Sequence, residues 1–303
     1  MILSASRRTD IPAFYADWFI NRLKAGYVLV RNPFNANHVS KIFLNPEIIE
    51  CIVFWTKNPS SLMKRLHEID KLGYKYYFQF TITSYNQNIE RNIPNKKKII
   101  KTFQELSNKI GREKVVWRYD PILLTTGYSV DYHRKWFSCL AENLSGYTNR
   151  CVLSFINMYK KCEKNMKKIP LKSIDDNIKK QLSTSFSKTA NSFGISVESC
   201  AEVPLLSNSG VKPGKCVDDQ LISEIIGKQI EIRKDKSQRH DCRCVTSIDI
   251  GSYNTCRHGC KYCYANYSEK TVVKNCNTHE VSSHLIFGNL NGNEKISERK
   301  NIL

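Results

Sequence analysis

Cys256, Cys260 and Cys263 are spaced C-x3-C-x2-C in the string C-R-H-G-C-K-Y-C. A loop this short aims three thiolates at one metal centre and supplies no fourth ligand of its own. Iron–sulfur clusters are held by Cys thiolates, usually four. Three leave one iron free, much as a catalytic zinc keeps an open coordination position. That arrangement points to chemistry rather than to a structural staple. His258 lies inside the loop and could complete a zinc site instead; otherwise it is expected to face solvent or the cluster edge. Four further cysteines, Cys200, Cys216, Cys242 and Cys244, fall in the same C-terminal stretch. They could bind an auxiliary Fe–S cluster with complete protein ligation. They fit a structural zinc site equally well by chemistry. Cys51, Cys139, Cys151, Cys162 and Cys276 are scattered and read as small packing hydrophobes.

The elements that would position these groups alternate along the chain. Strands are expected at Ile2–Ala5, Cys51–Trp55, Tyr76–Ile82, Val115–Arg118, Cys151–Phe155, Ser196–Ser199 and Val245–Ile250, with Tyr27–Val30 as a candidate extra. Helices are expected at Ala13–Lys24, Pro59–Leu72, Lys96–Ile110, Tyr132–Leu144, Asp175–Ser192 and Asp218–Arg233. Several stop at a glycine, as a helix C-terminus should. Strands alternating with helices imply parallel βαβ units. Their number suits an α/β fold of the TIM-type (β/α) barrel kind, full or partial. No glycine-rich dinucleotide fingerprint follows any strand, which weighs against a Rossmann sheet. Residues 1–275 read as one domain whose Cys-rich part spans 200–263. Residues 276–303 read as a polar tail, poorly ordered beyond an apolar patch at Leu285–Phe287.

Almost every expected strand runs into polar residues at its C-terminal end, where parallel barrels assemble active sites. Taken singly, Thr9, Asp10, Asn58 or Asp120 could simply cap the following helix. Paired Arg7–Arg8 and the run Trp117–Asp120 are harder to dismiss, because a buried Arg needs a partner. Arg7, Arg8, Asp10, Lys57, Arg118, Asp120, Glu198 and Glu202 are therefore the candidates for a mouth that binds anionic or polar ligand groups.

The chain has 303 residues and a formal net charge of +19. That charge permits a nucleic-acid partner. Much of it is Lys spread over helices and loops, and the runs 96–98 and 160–168 read as solvated faces. No stretch of about 18 apolar residues would span a membrane, and the N-terminus has no signal-peptide pattern. A cytoplasmic location is expected, where twelve cysteines argue for metal or redox chemistry rather than disulfides.

The extended string Cys256–Asn266, C-R-H-G-C-K-Y-C-Y-A-N, resembles the cysteine motif of the radical S-adenosylmethionine (SAM) superfamily, most of all its spore-photoproduct-lyase-like branch. The resemblance implies a [4Fe–4S] cluster whose open iron chelates SAM. It also implies a flavodoxin- or ferredoxin-like reductant, and cleavage of SAM to a 5′-deoxyadenosyl radical. Tyr262 would pack over the cluster or near the adenine. In most of that superfamily the cysteine loop follows the first barrel strand, whereas here it follows the last. A circular permutation reconciles the two, provided that Val245–Ile250 lies beside Ile2–Ala5. The superfamily's Gly-Gly-Glu-type motif would then fall at Ser4–Asp10, which lacks it, so Ser6, Arg7 and Asp10 would have to hold SAM. The strings S-R-R-T-D (Ser6–Asp10), F-W-T-K-N-P (Phe54–Pro59) and W-R-Y-D-P (Trp117–Pro121) also resemble an uncharacterised microbial family with the same C-terminal cysteines, which brings no substrate. The expectation is a radical-SAM-type enzyme, with a nucleic acid or nucleotide favoured as substrate. The alternative is a zinc-stabilised nucleic-acid-binding protein without catalysis.

Overall fold

The computed structural model describes residues 1–201 and 208–299, except for the side chain of Lys161. In chain order the strands are β1 (Ile2–Ala5), β2 (Tyr27–Arg31), β3 (His38–Phe43), β4 (Cys51–Thr56), β5 (Tyr76–Thr81), β6 (Val115–Ile122), β7 (Arg150–Phe155), β8 (Ser196–Ser199), β9 (Lys212–Pro213), β10 (Ile248–Asp249) and β11 (Lys295–Glu298). Eight of them form one sheet in the order β10-β1-β4-β5-β6-β7-β8-β9, and every neighbouring pair is parallel. This is an α/β fold of the Rossmann- or barrel-like kind, and β9 and β10 are its edge strands.

Period-two alternation gives the sheet two different faces. Leu3, Ala5, Phe54, Phe78, Phe80, Trp117 and Leu153 belong to the main core with Phe103, Leu106, Phe137 and Phe186 from the helices. Those helices are well specified locally. In Lys96–Ile110, the Asn95 side chain caps Lys98 N, and Ile99, Thr102, Phe103 and Leu106 fall on one buried stripe. On the opposite face, Ile2, Cys51, Val53, Tyr77, Val116 and Val152 pack against Val217, Leu221, Ile222 and Val245. Two residues further along the same strands that face becomes polar or aromatic, with Ser4, Trp55, Gln79 and Arg118. The sheet is therefore plugged by hydrocarbon at one end and lined with hydrogen-bonding groups where its strands finish.

Several boundaries depart from the sequence reading. Tyr27–Val30 is no barrel strand: β2 pairs antiparallel with β3, and β11 adds to β3, in a separate three-stranded sheet. The helix expected over Ala13–Lys24 breaks at Tyr15 into Ile11–Phe14 and Ala16–Ala25, and that over Pro59–Leu72 divides into Ser60–Met63 and Leu66–Lys71. The helix expected to reach Arg233 stops at Ile226, where Gly227 takes a left-handed conformation with φ 68°. The last parallel strand shrinks to Ile248–Asp249, but it does lie beside β1, with Leu3 opposite Ile248 and Ser4 opposite Asp249.

The segment read as a loose tail instead packs onto the protein. Trp18 Nε1 donates to Ser283 O at 2.9 Å, Leu29 N to His284 O at 3.0 Å, and Leu285 is buried with Leu29 and Val39. Its polar composition hid these contacts because they use backbone carbonyls rather than an apolar stripe. Among the described residues no helix is long and apolar enough to cross a membrane.

Candidate functional site

The loop after β10 is docked by backbone bonds before its side chains come into play. Asn254 N donates to Ala265 O at 2.8 Å, Lys261 N to Ile89 O at 2.9 Å, and Asn92 N to His258 O at 3.0 Å. Gly259 makes the turn at φ +66°, with Asn92 and Arg91 packed too close for a comfortable side chain. This brings Cys256, Cys260 and Cys263 together. Burial raises all three thiol pKa values, and Cys256 feels both of its partners. Two of the sulfurs have a backbone hydrogen-bond donor already in place. Cys256 receives the His258 N–H, Cys263 receives the N–H groups of Ala265 and Asn266, and Cys260 lies against the Tyr262 hydroxyl.

Beside Cys260 sits a buried ion network that the sequence reading did not anticipate. Glu90 accepts from Lys57 Nζ at 2.8 Å, Lys96 Nζ at 3.0 Å, Thr83 Oγ1 at 2.6 Å and Tyr262 OH at 2.5 Å. Burial would raise the Glu90 pKa, but the two ammonium groups outweigh it and hold the carboxyl well below its ordinary range. Lys57 Nζ also stands 5.5 Å from the centre of the Tyr262 ring. Lys57, expected among the mouth residues, and Tyr262 therefore lie beside Cys260, held there by Glu90. No periodicity or motif marks Glu90, which lies in a polar loop segment of Asn, Arg and Ile. Its only sequence signal is an acid within a basic stretch.

Asp10 is a clamp rather than a free ligand. Oδ1 caps the helix Ile11–Phe14 through Ala13 N, while Oδ2 accepts from Thr56 Oγ1 at 3.0 Å, Lys57 N at 2.7 Å and His258 Nε2 at 2.7 Å. His258, expected at solvent or at the cluster edge, is 3 % exposed and stacks near Phe14 with its Nδ1 left without a partner. Ser6 is similarly engaged. It donates to Asp249 Oδ1 at 2.6 Å and accepts from Arg8 N at 2.9 Å. Asp249 also accepts from Ser4 Oγ and Arg7 N, so one carboxylate welds β10 to the end of β1. Both Ser6 and Asp10 would have to give up internal bonds to hold a ligand.

The floor of the mouth is Trp55 beneath two guanidiniums, Arg7 at 5.4 Å and Arg118 at 5.2 Å from the ring. Arg118 is 5 % exposed, pairs with Asp120 and donates to Gln79 Oε1 at 3.2 Å. Arg7 donates to Ser247 Oγ at 3.0 Å. Burial works against the Arg7 charge, and Cys244, Asp249 and Cys216 outweigh it. Arg8 turns outward over Tyr253, 5.5 Å from its ring, and its Nε stands 4.0 Å from Asp249. Glu198 is engaged elsewhere, 3.4 Å from Arg150 NH1, which also holds Asp218. Burial raises the Glu198 pKa against the pull of Arg150. Glu202 lies outside the described residues.

The second set of cysteines also converges. Cys216 Sγ is 3.6 Å from Cys200 Sγ, and the N–H groups of Cys216 and Val217 point at Cys244 Sγ at 3.3 and 3.4 Å. Cys244 in turn hydrogen-bonds Cys242 and lowers that thiol to about 7. The Cys200 contact pulls Cys216 down, but the contact with Cys244 and burial outweigh it and leave that thiol raised to about 11. Arg118 NH1 reaches Cys216 Sγ at 2.8 Å and Arg239 NH2 reaches Cys200 Sγ at 3.7 Å. Among the described residues no group of three or more His, Cys, Asp or Glu side chains stands arranged to hold a metal ion, in this set or in the triad. The thiols form a hydrogen-bonded chain, as protonated sulfurs do.

The family model described as Domain of unknown function (DUF1848) matches residues 2–265. Comparison with curated proteins and with solved structures found no match.

Proposed function

We propose that this chain, which belongs to the DUF1848 family, is an iron–sulfur enzyme of the radical-SAM type acting on a substrate still to be identified. The observation that carries the reading is the triad. Cys256, Cys260 and Cys263 sit on one loop, Cys260 buried and the other two half-buried, each thiol within electrostatic reach of another and with backbone N–H groups aimed at Cys256 and Cys263. Thiolates that bind iron need such neighbours, so the donor set fits a cluster with three protein ligands. When bound there, a [4Fe–4S] cluster with an open iron supplies one-electron reduction of chelated SAM.

The chain's own residues then have definite tasks. Cys260 is buried, while Cys256 and Cys263 are half-buried, which leaves that side of the triad accessible to a small ligand. Glu90 fixes Lys57 and Tyr262 against Cys260, so one cation and one aromatic ring stay in place beside the cluster position. Asp10 ties His258, and with it the cysteine loop, to the ends of β1 and β4. Arg7 and Arg118 both lie over the Trp55 ring, a cationic and aromatic grouping suited to an anionic, planar group such as a nucleotide or a nucleic-acid strand. We also read the sheet as a (β/α) barrel left partly open and circularly permuted. The pairing of β10 with β1 supports this, because it puts the cysteine loop next to the strand that would follow it in an unpermuted ring. A reducing cytoplasm and a small electron-donor protein belong to the same proposal.

The test is anaerobic purification followed by iron and sulfide analysis and incubation with SAM and reductant. Release of 5′-deoxyadenosine that is lost in Cys260→Ser supports the reading. A colourless protein containing only zinc overturns it in favour of a zinc-stabilised nucleic-acid-binding protein.

A further inference from the structure

We propose that Cys200, Cys216, Cys242 and Cys244 form a separate structural site that holds one zinc ion as a tetrathiolate and joins the two edges of the eight-stranded sheet. Cys200 follows β8 and Cys216 follows β9, at one edge; Cys242 and Cys244 precede β10, at the other. The thiols meet across the gap where β9 and β10 are not paired, and the backbone follows them, with Val245 N donating to Val217 O at 3.1 Å.

The spacing favours a single ion. A zinc–sulfur bond of about 2.3 Å places tetrahedral sulfurs about 3.8 Å apart. Cys200 and Cys216 are already 3.6 Å apart. A cubane holds its cysteine sulfurs further from one another, because irons and sulfides stand between them. The spacing at this pair is closer to that of one tetrahedral ion than to that of a cubane, so a single zinc needs the smaller rearrangement. The sulfurs form a chain and not yet a tetrahedron. Zinc binding displaces the four thiol protons to solvent and, with rotation about the Cα–Cβ bonds, closes it.

Charge points the same way. Arg118 and Arg239 donate to Cys216 and Cys200, and Arg7 lies in reach of Cys244 and Cys216. Arg118 is already paired with Asp120, Arg7 lies near Asp249 and Arg239 is exposed, so the three guanidiniums add a positive field beside the thiols that favours their ionised form. Around zinc with four thiolates, whose net charge is −2, that field is matched. The N–H groups of Cys216 and Val217 already aim at Cys244 Sγ, as donors to a metal-bound thiolate do. Four protein ligands leave no open position, so the ion's task is to hold Arg7 and Arg118 against Trp55.

The full chain is purified from zinc-supplemented medium and its metals are counted. The expectation is about one zinc per chain, retained in the triple variant C256S/C260S/C263S and lost in C216S/C244S. Cobalt exchange into the triple variant should give the intense visible bands of a tetrahedral thiolate site. Titration of the wild-type chain with an organomercurial, with a dye reporting zinc, covers the case in which C216S/C244S does not fold. Zinc should leave as about four thiols are consumed. Absence of zinc from both wild type and triple variant overturns the proposal, as does iron with sulfide remaining in the triple variant. Failure of the triad reading looks different: zinc is present and iron is absent from the wild type.

Discussion

Replacing Glu90 by glutamine removes the one negative charge that holds two buried ammonium groups beside the cysteine triad. The Glu90 side chain is 1 % exposed, while those of Lys57 and Lys96 are 14 % and 17 % exposed. Four donors converge on its two oxygens, and Oε1 alone takes three of them. Glutamine keeps the shape but offers one carbonyl oxygen, and its amide would turn N–H groups toward a lysine. Breaking a buried pair by neutralising one partner costs about 3–5 kcal/mol. For a chain of this size each kcal/mol moves the melting point by about 2 °C, so Glu90→Gln should melt about 6–10 °C lower. The pH dependence has a definite sign. The folded carboxyl is held below its ordinary range, so its stabilisation is full above about pH 4.5 and drains as pH falls toward the folded value. Circular-dichroism melts of both proteins between pH 7 and about pH 2 measure the difference and its narrowing in acid. A variant within about 0.5 kcal/mol of wild type, with a parallel pH profile, would refute the idea that this network organises the site.

Other consequences can be checked with the same equipment. His133 is fully buried, accepts from Tyr119 OH at Nδ1 and donates from Nε2 to Leu123 O; burial lowers its pKa from 6.5 to about 4. The unfolded chain takes up that proton first, so stability should be full above about pH 6.5 and fall by up to about 3 kcal/mol toward pH 4. Urea midpoints of His133→Gln should lack that slope, and identical slopes would contradict the assignment. Asp10→Ala loses a helix cap and three further hydrogen bonds, so thermal unfolding should register a cost of about 2–4 kcal/mol. Gly251→Ala places a Cβ 2.6 Å from Ser6 Cβ, which should destabilise by about 1–3 kcal/mol. Adding Ser6→Gly should recover part of that loss, and no recovery would place the clash elsewhere.

The parts of the fold legible in the sequence are those fixed by local chemistry. The strand Ile2–Ala5 and the helix Lys96–Ile110 were marked by an apolar run and by a stripe ended at Gly111, and both stand as read. The pairing of β10 with β1 followed from asking where a late cysteine loop would have to sit. The three-stranded sheet was not legible. β3 reads H-V-S-K-I-F with exposed ends, and β11 is exposed throughout, so neither shows a buried period. At the site, cysteine spacing revealed both thiol groups because metal-ligand chemistry tolerates few residue types. Polar strand ends were a coarser guide. Arg7, Lys57, Arg118 and Asp120 do converge, whereas Glu198 is taken by Arg150, a partner from the start of the neighbouring strand. Glu90 and Asp249 act through long-range pairing, which no local pattern encodes.

The central claim concerns Cys256, Cys260 and Cys263, and electron paramagnetic resonance of the anaerobically purified, reduced chain tests it most directly. The account expects about four irons with about four sulfides per chain and a reduced-cluster signal that changes when SAM is added. That signal should be absent from Cys260→Ser. A chain that carries no iron, or a signal indifferent to SAM, would contradict it.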